Sequence, residues 1–213
     1  MPAEHKMFNL NLATLISRAV ILVIAFTVHE FAHAWTADVF DDDTPRSQGR
    51  LTLNPLKHLD PIGTLLLLFA GFGWARPVQV NTYNLERRSP AAPMLVALAG
   101  PFSNLLLAIM VAIPVQFGVF QLTLEQGVLF PTLSQFIIEF VFINLILMLF
   151  NLLPIFPLDG EKILYYFLPP NGQNLLLRLR SFGIYILLAL VFLNITEFLI
   201  FTPALLLLRL FLG

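Results

Sequence analysis

Residues 19–35 read A-V-I-L-V-I-A-F-T-V-H-E-F-A-H-A-W. They end an apolar run that extends from Phe8 to about Ala37, interrupted by Arg18. A helix that crosses a bilayer needs about 20 mostly apolar residues, and this run supplies them. Its last turns carry His29, Glu30 and His33, the pattern H-E-x-x-H. Residues i and i+4 stand one turn apart on one helix face, so both imidazoles can point at a common spot. That is zinc-ligand spacing, and the Glu then falls beside the metal-activated water as a general base. Two imidazoles and a carboxylate are costly inside a membrane segment and are by default functional.

The whole chain agrees with a membrane reading. Of 213 residues 58% are apolar and 12% charged, with 21 Phe, whereas soluble domains carry about 25% charged residues. A net charge of −1 without a basic tract argues against nucleic acid as a partner. The absence of cysteine excludes disulfides, thiolate ligands and a thiol nucleophile.

Further apolar runs are predicted to span at Pro90–Phe120, with a bend at Pro114, at Pro131–Asn151 and at Ser181–Phe201, before a short tail at Pro203–Leu212. Ile62–Trp74 has only 13 residues and reads as a re-entrant dip. The loose alternation of Arg76–Asn81 suggests a short strand, Asp41–Asp43 a solvated loop and Pro169–Asn174 a polar turn. The fold class expected is an all-α polytopic membrane protein with about 4–6 membrane helices. Between the first two lies a re-entrant, partly β-like segment. Nine of the 12 Lys and Arg (Arg46, Arg50, Lys57, Arg76, Arg87, Arg88, Lys162, Arg178, Arg180) fall in segments that this topology puts on one face. The positive-inside rule makes that face cytoplasmic.

A catalytic zinc needs a third protein ligand. Asp159 is the best candidate, in an apolar run broken by Pro154 and Pro157 and followed by Gly160. Irregular backbone at membrane depth is tolerated where it packs in protein or lines a wet cavity. His58, in N-P-L-K-H-L-D-P (54–61), is the rival ligand.

H-E-x-x-H in a membrane helix, then Gly100-Pro-Phe-Ser-Asn104, then Asn151 and Leu158-Asp159-Gly160, resembles the site-2 protease family of intramembrane zinc metalloproteases. Residues 49–64 and Gly73-Trp-Ala-Arg-Pro77 resemble its small bacterial-type subgroup. The resemblance implies one Zn²⁺ per chain held by His29, His33 and Asp159, with Glu30 as catalytic acid/base. It implies that Asn151 lines the site and holds or polarises substrate, and that Gly100 and Asn104 let helices approach closely. The family's frequent Asp-Gly-Gly-Arg is here Asp159-Gly160-Glu161-Lys162. The expected organisation is one membrane-embedded metalloprotease domain over 1–213, with a catalytic core at about 8–168 and C-terminal membrane helices at about 181–212. No PDZ or CBS regulatory domain is expected.

The expected partners are the lipid bilayer and transmembrane protein or peptide substrates, cleaved within or beside their membrane segments. The expected location is a prokaryotic inner membrane, multi-pass, with the site toward the cytoplasm. Rival readings are another membrane zincin, a metal transporter and a silent zinc-binding scaffold. A transporter would show repeats, and a scaffold would have no use for Glu30.

Overall fold

The computed structural model describes residues 11–70, 74–123, 125 and 127–213. Helix α1 runs Leu12–Val39, its start capped by Asn11, whose side chain accepts from the Thr14 N–H at 2.8 Å. At about 1.5 Å per residue, His33 stands about 30 Å along this helix, near the far edge of a hydrocarbon core. A short α2 (Thr44–Ser47) and a 3₁₀ turn (Pro55–Lys57) precede α3 (Pro61–Ala70) and α4 (Thr82–Arg88). Two long helices follow, α5 (Ala92–Gln116) and α6 (Leu133–Asn151). The chain ends with α7 (Asp159–Phe167), α8 (Pro170–Leu179), α9 (Gly183–Phe192) and α10 (Thr202–Leu212).

Four helical stretches among the described residues are long and apolar enough to cross a membrane: Leu12–Val39, Ala92–Gln116, Leu133–Asn151 and Pro170–Phe192. Central in the bundle is α5, against which α1, α6 and α7 pack. Small residues make this close approach possible, since lipid gives apolar side chains no reason to hide and packing must come from fit. Ala25, Ala34 and Ala37 of α1 and Ala97, Gly100 and Ala108 of α5 are buried. A second seam joins Ala108 and Ala112 of α5 to Val141, Leu145 and Met148 of α6 and to Ala204 and Leu208 of α10. Large side chains such as Phe117, Phe192 and Phe198 are exposed to the surroundings, where a bilayer accepts them.

Four expectations are corrected. First, no strand occurs among the described residues, so the partly β-like character expected of the re-entrant segment is not supported. Pro61–Ala70 is helical, and Trp74–Asn81 is an extended stretch with no partner strand. The chain does double back, because Trp74 lies against Gly63, where a Cβ would fall 2.1 Å from the Trp74 carbonyl oxygen. Side chains replace the missing ladder. Arg76 N–H donates to the His58 carbonyl at 2.8 Å, and Arg50 Nη2 donates to the Arg76 carbonyl. Val78 N–H donates to Glu30 Oε2 at 2.9 Å, and Asn81 N–H to Asp42 Oδ2 at 2.7 Å. Hydrogen bonds to charged groups contribute about 1.5–3 kcal/mol each, enough to hold a strap that alternation alone could not.

Second, Asp42 is fully buried rather than solvated; its other oxygen accepts from Thr44 N and Oγ1. Third, Pro170 begins a helix instead of a turn. Proline suits the first helical position, which needs no N–H donor. Fourth, the predicted Ser181–Phe201 span breaks after Phe192, where Asn194 takes φ 55°, a left-handed conformation that Asn tolerates better than most residues.

Candidate metal centre

His29 and His33 sit one turn apart on α1, and both rings face α5, which carries Gly100 at the point of contact. Across from them, Asp159 is the first residue of α7. Two short turns, from Leu153 N–H-bonded to Phe150 through Leu158 N–H-bonded to Ile155, reverse the chain after α6 and aim α7 back at α1. Gly160 makes this possible, since a Cβ there would lie 2.3 Å from the Leu152 carbonyl oxygen.

The result is a nearly equilateral triangle. His29 Nε2 and His33 Nε2 are 3.1 Å apart, and Asp159 Oδ2 lies 3.2 Å from the first and 3.1 Å from the second. All three residues are buried. Tetrahedral zinc with arms of about 2.0–2.1 Å subtends ligand–ligand edges of about 3.3–3.4 Å, so the triangle is the right size.

Protonation points the same way. His33 Nδ1–H donates to the Val96 carbonyl at 2.7 Å, and a carbonyl only accepts, so in the neutral ring His33 Nε2 carries the lone pair. His29 Nδ1–H donates to Asn104 Oδ1 at 2.7 Å, leaving its Nε2 lone pair free too. Two lone pairs and a carboxylate oxygen then converge on one spot, which suits a cation. Imidazole and carboxylate donors in threefold array, with hydrogen-bonded outer nitrogens, fit zinc.

Glu30 is buried beside this triangle, its Oε2 taken by Val78 N–H. Lys162 Nζ lies 3.4 Å from Asp159 Oδ1. The extra acid at Glu161 is turned to Arg180 in a bidentate pair of 2.7 and 3.0 Å. Gly100 and Asn104 thus both touch the histidines. Asn151 ends α6 with its amide donating to its own helix, at Leu147 O.

His58 is fully buried but belongs to the loop that carries the strap, its Nε2 donating to the Thr52 carbonyl at 2.7 Å. Burial pushes its pKa down, and the Arg50 charge adds to this. A native pKa below the unfolded value of about 6.5 means that its contribution to stability is full above that pH and is lost as pH falls below it. The melting temperature is therefore expected to drop more steeply between about pH 6.5 and 5 in the wild type than in His58→Gln. Thermal unfolding of both proteins at matched pH, with equal slopes, would refute this.

Sequence reasoning missed Asn144, Asp42, Arg50 and the backbone groups of Val96 and Val78. Asn144 alone gave a signal, as an amide in the middle of an apolar helix.

The model of Peptidase family M50 matches residues 117–194. Over 178 residues the chain is 46% identical to "Putative zinc metalloprotease YwhC" of Bacillus subtilis (strain 168), covering 80% of this chain and 78% of that protein. The chain belongs to peptidase family M50. It is 32% identical to "Putative zinc metalloprotease Rip2" of Mycolicibacterium smegmatis over 80% of its length, and 34% identical to the Rip2 of Mycobacterium tuberculosis (strain H37Rv) over 79%. It spans 66% and 63% of those two longer proteins. No solved structure matches the chain. Membership in M50 makes this chain a peptidase of the site-2 protease family, and its apolar helices make it an integral membrane protein. Zinc is the cofactor its donors suit.

Proposed function

We propose that this M50 peptidase is an intramembrane zinc endopeptidase that cuts transmembrane proteins within or beside their membrane segments. Residues 1–213 form one catalytic domain, with its core at about 8–168. The observation that carries the proposal is a three-donor triangle of His29, His33 and Asp159 beside the buried Glu30, at the end of a membrane-spanning helix.

His29, His33 and Asp159 hold the metal. When bound, zinc supplies a Lewis acid that polarises the scissile carbonyl and makes water acidic enough to attack near neutral pH. Glu30 is the general acid/base. Val78 N–H occupies its Oε2, so Oε1 is the oxygen that takes the proton from the attacking water and passes it to the leaving amine. The same hydrogen bond fixes the carboxylate's rotamer before substrate arrives. Asn151 is assigned a substrate-lining role from the family resemblance alone.

Orientation follows from charge. The α1 end that carries the histidines meets the loops holding Arg46, Arg50, Lys57, Arg76, Arg87 and Arg88, and Lys162 follows the return to that side, with Arg178 and Arg180 in the first half of the Pro170–Phe192 stretch. The opposite connection, 117–130, contains no Lys or Arg. The site therefore opens toward the cytoplasm of a prokaryotic inner membrane, and water reaches it across only part of the bilayer.

The test is the metal content of detergent-purified protein. One zinc per chain is expected in the wild type and in His58→Ala, and none in Asp159→Ala. Zinc kept in Asp159→Ala but lost in His58→Ala would overturn the ligand set.

A further inference from the structure

Each histidine of the triangle has its outer nitrogen tied to α5, but by different routes. His33 Nδ1–H meets a backbone carbonyl, at Val96, whose role as acceptor is beyond change. His29 Nδ1–H meets a side-chain amide, Asn104. A flipped amide would present NH₂ in place of oxygen, and an NH₂ cannot accept. His29 would then have to move its proton to Nε2, the nitrogen that faces the metal. Something must hold Asn104 one way round.

That something lies on α6. Asn104 Nδ2 donates to Asn144 Oδ1 at 3.0 Å, while its only other acceptor among the described residues, the Ala25 carbonyl, is at 3.5 Å. Asn144 is in turn oriented by its own Nδ2, which donates to the Phe140 carbonyl at 2.9 Å. Both asparagines are 0% exposed, so water cannot substitute for a lost partner. The chain of donors runs one way only: His29 to Asn104, and Phe140 carbonyl fixing Asn144, which fixes Asn104.

We infer that Asn144 is a positioning residue for the metal centre, which acts through Asn104 to keep the Nε2 lone pair of His29 turned toward the metal. Phe140 O serves His29 as Val96 O serves His33, at two amides' remove. The inference rests on the reading of His29 as a ligand. Partners of ligating histidines typically change metal affinity by about 10–100-fold when removed.

The experiment measures Zn²⁺ affinity by chelator competition, and the visible spectrum of the Co²⁺-substituted protein, with metal-free melting temperature alongside. Asn144→Leu is close in shape but cannot accept, and should weaken zinc binding about tenfold or more. Asn144→Asp, a neutral acid in this apolar site, offers one donor to Phe140 O and one acceptor to Asn104, and should stay within about threefold of wild type. The decisive variant is Asn104→Asp/Asn144→Leu. A carboxylate has no amide to flip, so in the Asn104→Asp background Asn144→Leu should cost no further affinity. An equal loss in both backgrounds, or wild-type affinity in Asn144→Leu, overturns the inference. A wild type that binds no zinc overturns the ligand reading beneath it, which separates the two failures.

Discussion

Glu30→Gln is expected to lower kcat for cleavage of a membrane-embedded substrate by about 10²–10⁴-fold, the range that a positioned general base contributes. Zinc content should remain at one per chain, because the three donors are untouched. The geometry should survive as well. Gln Oε1 can still accept from Val78 N–H, which now holds Glu30 at 2.9 Å, so the strap stays in place. The measurement is a paired one, cleavage in proteoliposomes and metal by mass spectrometry on the same preparations. Retained cleavage would remove Glu30 from the chemistry. Loss of zinc together with cleavage would make it a structural residue instead.

Gly100→Ala should damage the donor triangle directly. The new Cβ would fall 2.4 Å from His33 Nε2 and 2.6 Å from both Nε2 and Cε1 of His29. Those include the two Nε2 atoms of the three-donor triangle, so the methyl competes for the volume of the triangle itself. Neither side can easily give way. Val96, one turn earlier on α5, holds His33, and Asn104, one turn later, holds His29. Overpacking of a well-packed site costs about 1–3 kcal/mol, which a four-helix bundle can survive while the triangle cannot. The expected result is a folded, membrane-inserted protein with zinc affinity reduced by at least about tenfold and no cleavage. Wild-type zinc affinity in this variant would show that α1 and α5 are free to part.

The legible features of the sequence were those written within one helix turn or one local composition. His29 and His33 meet because helical geometry fixes i and i+4, whatever surrounds them. Asp159 stood out as an acid in an apolar stretch that two prolines prevent from being an ordinary helix. The membrane class and three of the four long spans followed from run length alone.

The features that stayed hidden depend on distant backbone. Val96 and Val78 contribute a carbonyl and an N–H that any residue would offer, so their side chains carry no sign of it. Asp42 looks like its two neighbours in sequence, and only the fold buries it against Asn81. Alternation over Arg76–Asn81 suggested a strand that did not form. It could not show that the neighbours would be three side chains from α1 and its loop rather than a second strand. Pro169–Asn174 carries turn residues, but a proline that opens a helix and one that opens a turn look alike until the following residues pack.

His33 and the aspartate that completes the triangle are 126 residues apart in the chain. During synthesis α1 enters the membrane with its H-E-x-x-H already formed, and stays without its third donor until α5, α6 and the reversing turn have followed. An unfinished chain therefore carries Glu30 and two imidazoles but no complete triangle. On the proposed ligand set, the order in which the segments leave the ribosome would delay a complete metal centre until the later helices have been inserted.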